Sequence, residues 1–259
     1  MNYVSIDRLW DKMSAEDREK ALLALSDIKG LLCYAFPYLA DEEEGNISLY
    51  ARGKDYHKVV GEMLEAECEK LKADHPENTF LPYVDVSPFP EAYAAAMSSL
   101  GKLGKNGLLI TEKYGSFVFV GVIATNLEMQ GKATVENCIG CDACIKACPN
   151  GAISEKGVDK NRCLSEITQK KGELTEDEKA LMRKHNTAWG CDICQLVCPM
   201  NKGVGKTHIP QFETDLICTL TSADLQDSNK QLQKKYGDRA FIWRGAAVLK
   251  RNTEILENK

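Results

Sequence analysis

Cysteine is the residue type in this sequence most able to do chemistry. Seven of the eleven cysteines sit in two tight groups, and an eighth lies between them. The first group is Cys138-x2-Cys141-x2-Cys144-x3-Cys148-Pro149. That spacing is the bacterial ferredoxin pattern, in which cysteines at intervals of three let one backbone loop wrap three corners of an iron–sulfur cube. Gly140 lies inside the loop, where close backbone approach suits a residue without Cβ. The second group, Cys191-x2-Cys194-x3-Cys198-Pro199, is one cysteine short, and Cys163 supplies it. Two [4Fe–4S] cubes need eight thiolates, and the cysteine before proline ligates the other cube. This predicts one set of Cys138, Cys141, Cys144 and Cys198, and another of Cys148, Cys163, Cys191 and Cys194. Paired CxxC motifs also bind zinc, but the three-cysteine run and the two Cys-Pro endings argue for clusters. Cys33, Cys68 and Cys218 have no motif spacing and read as small core residues.

Composition narrows the setting. Among 259 residues, 44% are hydrophobic and 27% charged, enough for one good core or one core plus a smaller cluster-bearing domain. No apolar run reaches the ~18 residues of a membrane helix, and the polar N-terminus has no signal-peptide core. A cytoplasmic protein with no membrane partner is expected, where thiols stay reduced and dense cysteine points to metal rather than disulfides. The net charge of −5 argues against a general attraction for nucleic acid. The pairs Lys170-Lys171, Arg183-Lys184, Lys234-Lys235 and Lys250-Arg251 are diffuse and read as solvated surface.

The elements that must position this chemistry are legible from periodicity. Residues 7–26 mix charge and apolar groups at helical spacing, and 30–38 form a short apolar run that reads as a strand. Residues 54–74 place Val59, Val60, Met63, Leu64 and Leu71 on one helical face. A strand is expected over 80–86, an alanine-rich helix over 91–100 and a glycine-rich turn over 101–107. Two strands, 108–111 and 116–125, are expected to join through a turn at 113–115. A helix over 175–185 has an acidic start and a basic end, matching its dipole. This predicts an α/β (α+β) domain over 1–130, a ferredoxin-like double [4Fe–4S] domain over 131–205, and a polar, partly helical tail over 206–259 that packs on the rest. On its own, Asp55 reads as a helix N-cap and Asp85 as a strand-end residue turning the chain before Pro88.

Further residues, taken with the cysteine motifs, carry a resemblance. Tyr50-Ala-Arg-Gly-Lys-Asp-Tyr-His57, Val84-Asp85, Leu103-Gly-Lys-Asn106, Gly115-Ser116, Asn201-Lys202-Gly203 and Trp243-Arg244-Gly245 resemble epoxyqueuosine reductase, from about Gly30 to Asn252. The resemblance implies a cobalamin-dependent enzyme with two [4Fe–4S] clusters that reduces the epoxide of epoxyqueuosine in a tRNA anticodon. It implies base-off cobalamin held between a cobalamin-binding-like α/β domain and the cluster domain, with electrons reaching cobalt through the clusters. Asp85, in the family's Val-Asp-Thr/Ser segment, would donate the proton. Arg52, Tyr56, His57 and the turn residues Gly104, Lys105 and Asn106 would line the cofactor or substrate pocket. Flavodoxin or ferredoxin would feed electrons, tRNA with a queuosine-type anticodon would be the macromolecular partner, and the chain would act as a monomer.

The sequence departs from that family pattern in three ways. The usual chain is longer and ends in helical repeats thought to grip tRNA, whereas this sequence stops at Lys259, near where they would begin. Glu91-Ala92 stands where the family typically has Glu-Arg, which removes a positive charge. The N-terminus is shorter than usual. Two alternatives follow: a cobalamin-dependent reductase of another substrate, and a two-cluster electron-transfer protein without cobalamin.

Overall fold

Two eight-residue strands, buried along most of their length, organise the first part of the chain. The computed structural model describes residues 2–41, 43–131 and 134–258, which fall into two compact units. The first is Met1–Pro37 with His57–Gly140, and the second is Tyr38–Tyr56 with Cys141–Lys259.

The first unit runs β1 (Asn2–Ser5), α1 (Ala15–Ala24), β2 (Gly30–Pro37), α2 (Tyr56–Asp74), β3 (Phe80–Val84), α3 (Glu91–Met97), β4 (Lys102–Leu103), β5 (Leu109–Ile110) and β6 (Val118–Thr125). Its four-stranded sheet has the order β1-β2-β6-β3 and is antiparallel throughout. Successive strand residues point to opposite faces. Leu31, Cys33, Val122 and Ala124 therefore bury one face together with Ala94–Met97 of α3. On the other face α2 lies close over Gly121, where an added Cβ would sit 2.8 Å from Leu64 Cδ1 and 3.2 Å from Val60 Cγ1. The sheet is thus covered on both sides. Of the expected apolar face of α2, Val59, Val60, Leu64 and Leu71 are buried, whereas Met63 is exposed.

Two local features sharpen those expectations. The helical pattern over 7–26 resolves into two 3-10 turns, Ile6–Arg8 and Trp10–Lys12, before α1, whose N-cap Ser14 side chain accepts a hydrogen bond from the Asp17 amide. The segments 108–111 and 116–125 are joined by the expected turn, closed by the Thr111–Gly115 bridge. β5 pairs with β4, and β6 finds β2 and β3.

The second unit runs α4 (Ala143–Ala147), a hairpin of β7 (Ile153–Ser154) and β8 (Gly157–Val158), α5 (Leu164–Gln169), α6 (Glu176–Lys184), α7 (Ile193–Leu196), α8 (Pro210–Glu213), α9 (Asn229–Tyr236) and α10 (Ala246–Glu257). The expected charged helix is α6, closed at its start by a capping box between Thr175 and Glu178. The segment expected as a polar tail contributes most of a core. Leu225, Leu232, Tyr236, Phe241, Val248 and Leu249 bury with Ile47, Ala51 and Trp189. Its charged residues are real, but their helical spacing leaves one apolar stripe per helix, which average polarity conceals. The division at 130 and 205 expected from composition is likewise not where the compact units part, because residues 38–56 and 206–259 pack with the cysteine-rich segment.

Candidate functional site

Seven of the eight motif cysteines lie in the second unit, and Cys138 lies in the first. Cys144 is on α4, Cys148 caps its end, Cys194 is on α7, and Cys198 precedes Pro199. Helices α4 and α7 pack together, so the two ferredoxin half-motifs meet. Cys163 ends a 3-10 turn and starts α5. Left-handed backbone at Gly140, Asp142 and Gly190 bends the cysteine loops. At Gly190 even a methyl group would strike Ser48, whose Cβ lies 2.4 Å from the position it would take.

The loops are braced by the rest of the unit. Asp192, between Cys191 and Cys194, is half-buried and accepts hydrogen bonds from the Ser48 hydroxyl (2.5 Å) and the Leu49 amide (2.9 Å). Asn252 of α10 donates to the carbonyls of Thr168 and Ala188, each at 2.7 Å, and the Thr168 hydroxyl accepts from the Gly190 amide. One buried amide thus ties the end of α5 to the segment entering Cys191.

The donor set fits iron–sulfur clusters. Burial pushes the Cys191 thiol up to about 12, and the neighbouring Cys194, Asp192 and Cys163 act in the same direction. Thiols this crowded ionise together only against a strong positive centre, which is what a thiolate-ligated metal provides. Cys148 Sγ also accepts a hydrogen bond from the Ala152 amide at 3.2 Å, the kind of contact that tunes a cluster's potential. Among the other cysteines, Cys33 is buried in the sheet core while Cys68 and Cys218 are half-buried. Cys218 gathers with Asp41 and Glu43, their ligating atoms within 4.8 Å of one another. The positive charge that cluster attracts is already present: Arg52 Nη1 lies 3.3 Å from Asp41 Oδ1 and donates to the Glu43 carbonyl at 2.7 Å.

The second constellation is in the first unit. β3 ends where Asp85 takes a left-handed conformation, φ 60°. Outside glycine this region is uncommon, and aspartate is among the residues that tolerate it best. The Val86 amide bonds back to the Val84 carbonyl at 2.6 Å and closes a three-residue turn around Asp85. Asp85 Oδ2 lies 3.2 Å from His57 Nε2 in the first turn of α2, and the Asp85 side chain is 61% exposed. The Asp85 amide donates to Glu91 Oε2 at 3.1 Å. Glu91 Oε1 is buried without a hydrogen-bond partner.

Burial raises the Glu91 carboxyl from an ordinary 4.5 to about 7, with the Ser87 hydroxyl and Asp85 amide pulling the other way. The unfolded chain loses this proton near 4.5 and the folded chain near 7, so folding binds a proton between those values. Stability therefore falls as pH climbs through that window, by about 3 kcal/mol if the whole shift is realised. Glu91→Gln removes the titration. Denaturant unfolding should show wild type losing stability relative to this variant between pH 4.5 and 8. Parallel curves for the two proteins would contradict the assignment.

The remaining expected residues fall in both units. Gly104, Lys105 and Asn106 form the β4–β5 turn of the first unit, with Gly104 buried and the Asn106 side chain accepting from the Leu108 amide. In the second unit Tyr56 packs edge-on against Tyr50. Arg52 is 5% exposed and directed inward, its Nε donating to the Ile47 carbonyl. It braces the segment that carries Tyr56. Reading residues singly missed Glu91 as a partner of Asp85. The available signal was a carboxylate six positions on, opening an alanine-rich helix.

Two family profiles match the chain. One, described as a 4Fe-4S double cluster binding domain, covers residues 137–201, and the other, described as Epoxyqueuosine reductase QueG, DUF1730, covers 18–86. An epoxyqueuosine reductase of Lactococcus garvieae is 33% identical over 258 residues, covering 94% of this chain and 72% of the relative. The solved epoxyqueuosine reductase of Streptococcus thermophilus superposes with a TM-score of 0.85 at 25% identity, covering 98% of this chain and 76% of that one. Another epoxyqueuosine reductase, solved with an epoxyqueuosine-modified tyrosine tRNA stem loop, superposes with a TM-score of 0.79 at 29% identity, covering 91% and 66%. No helix among the described residues is long and apolar enough to cross a membrane.

Proposed function

Because this chain belongs to the epoxyqueuosine reductase family, we propose that it uses cobalamin and two [4Fe–4S] clusters to reduce the epoxide of epoxyqueuosine in tRNA, with Asp85 as proton donor. The observation that carries the role of Asp85 is the turn at the end of β3, which presents a carboxyl toward solvent with His57 Nε2 3.2 Å away. When bound, cobalamin supplies a reduced, nucleophilic cobalt and the clusters supply electrons singly. Removing the epoxide oxygen as water takes two electrons and two protons.

The chain's own residues handle the protons and the fit. A C–O bond breaks more easily if its oxygen is protonated as it leaves, which needs an acid within hydrogen-bond reach. Asp85 gives its carboxyl proton to that oxygen, and His57, as imidazolium, returns one to Oδ2. Tyr56, His57 and the Gly104–Asn106 turn would hold cobalamin, with Lys105 and Asn106 suited to its phosphate and amide groups. Arg52 acts one layer back by fixing the Tyr56 segment. Cys138, Cys141, Cys144 and Cys198 hold one cluster, and Cys148, Cys163, Cys191 and Cys194 the other. Flavodoxin or ferredoxin delivers electrons in the cytoplasm.

The test is turnover. The chain, reconstituted anaerobically with iron, sulfide and cobalamin and given a chemical reductant, is expected to convert an epoxyqueuosine-bearing tRNA stem loop to the queuosine form, read by nucleoside mass spectrometry. Recovery of unchanged epoxide from a preparation with both clusters and bound cobalamin would overturn the reading.

A further inference from the structure

We infer that Glu91 is the positioning residue for Asp85, its carboxylate locking the left-handed turn from which Asp85 reaches His57. The inference rests on Asp85 being the proton donor. Its grounds are geometric. Asp85 sits at φ 60°, a conformation its own backbone does not favour. Contacts that hold it there include the short Val86-to-Val84 bond, the Ser87 amide bond to the Asp85 carbonyl at 3.1 Å, the His57 contact, and the Asp85 amide bond to Glu91 Oε2 at 3.1 Å. Of these, the Glu91 bond alone fixes the peptide plane entering Asp85 from outside the turn. It is also charge-assisted when the glutamate is ionised, and therefore stronger than a bond to a neutral acceptor.

Glu91 is poorly accounted for as a stabilising residue. Its other oxygen, Oε1, is buried with no partner, an arrangement that costs stability. Burial is also why its proton is held to about 7. A buried, half-satisfied carboxylate at a turn is the signature of a constraint kept for what it positions. The titratable groups facing it are Asp85, His57 and, from β2, Cys33. Below pH 7 Glu91 becomes neutral and its hold on the Asp85 amide weakens, so acid loosens the turn.

The test compares Glu91→Ala, Glu91→Gln and Asp85→Asn in the full-length reconstituted enzyme with an epoxyqueuosine tRNA stem loop. Glu91→Ala is expected to lower the single-turnover rate about 10–100-fold, leave KM for the stem loop within about 3-fold, and speed hydrogen exchange at the Asp85 amide at least 10-fold. Glu91→Gln keeps an oxygen acceptor and should recover at least 10-fold of the exchange protection, with a rate that no longer bends near pH 7. Unchanged amide exchange in Glu91→Ala would overturn the lock itself. A wild-type rate in Glu91→Ala beside an inactive Asp85→Asn would overturn the positioning role and leave the donor assignment standing. A wild-type rate in Asp85→Asn would remove the donor assignment and the role of Glu91 with it.

Discussion

Asp85→Asn is expected to lower the single-turnover rate of epoxide reduction by about 10²–10⁴-fold, the range that a positioned general acid supplies, with iron content and cobalamin binding unchanged. Asparagine is the informative replacement because little else changes. It tolerates the left-handed backbone nearly as well as aspartate, and its amide oxygen can still meet His57 Nε2 in place of Oδ2. Its backbone amide still donates to Glu91. The variant lacks only a proton on oxygen that can leave. The turn is solvent-exposed, with Val86 82% exposed beside it, so no core contact is lost and folding is not at issue. A rate within about 3-fold of wild type would show that the departing oxygen takes its proton from elsewhere.

The second large effect concerns Cys163, the motif cysteine that stands apart from both runs. Cys163→Ala is expected to reduce iron after anaerobic reconstitution from about eight to about four per chain, leaving one cluster's EPR signal intact. Cys163 starts α5 and is close enough to Cys191 to raise its thiol, as Cys194 does. Those three cysteines therefore share one neighbourhood within the second unit. With one thiolate removed, the cube there has an open corner and loses iron. Cys218→Ser is the matched control: a half-buried thiol of the same unit, beside Asp41 and Glu43, whose loss should leave all eight irons. Retention of eight irons in Cys163→Ala would mean that the second cluster draws its fourth ligand elsewhere.

How much of this was legible beforehand varied with the range of the interaction. The eight cysteines were readable because a cube's corners dictate short, fixed spacings. α2 was readable because one buried face imprints its period on the sequence, and β2 because a strand buried on both faces reads as a short apolar run. The partner of β5 was not, since two apolar residues cannot specify whether they pair backward to β4 or forward to β6. The core in residues 206–259 was hidden for a related reason: Leu232, Phe241 and Leu249 are spread thinly among charges, and only the packing against Trp189 shows them as one cluster. Glu91 was hidden most deeply. Its role depends on the φ of Asp85 and on one missing hydrogen bond, neither of which residue type or spacing encodes.

The pairing of Asn46 with Leu220, whose amide and carbonyl it meets at 2.9 and 2.7 Å across 174 positions, bears on how the protein is made. Residues 38–56 leave the ribosome long before the segments that complete their unit. At about 5–20 residues per second, Ile47 waits on the order of ten seconds for Trp189, and longer for α10. During that interval the cysteine loops lack both the Asn46 tie and the Asn252 clasp. Iron delivered early would meet thiols without a frame. A nascent polypeptide stalled before Asn252 is accordingly expected to carry less iron than the released chain, which the iron content of stalled and released material would show.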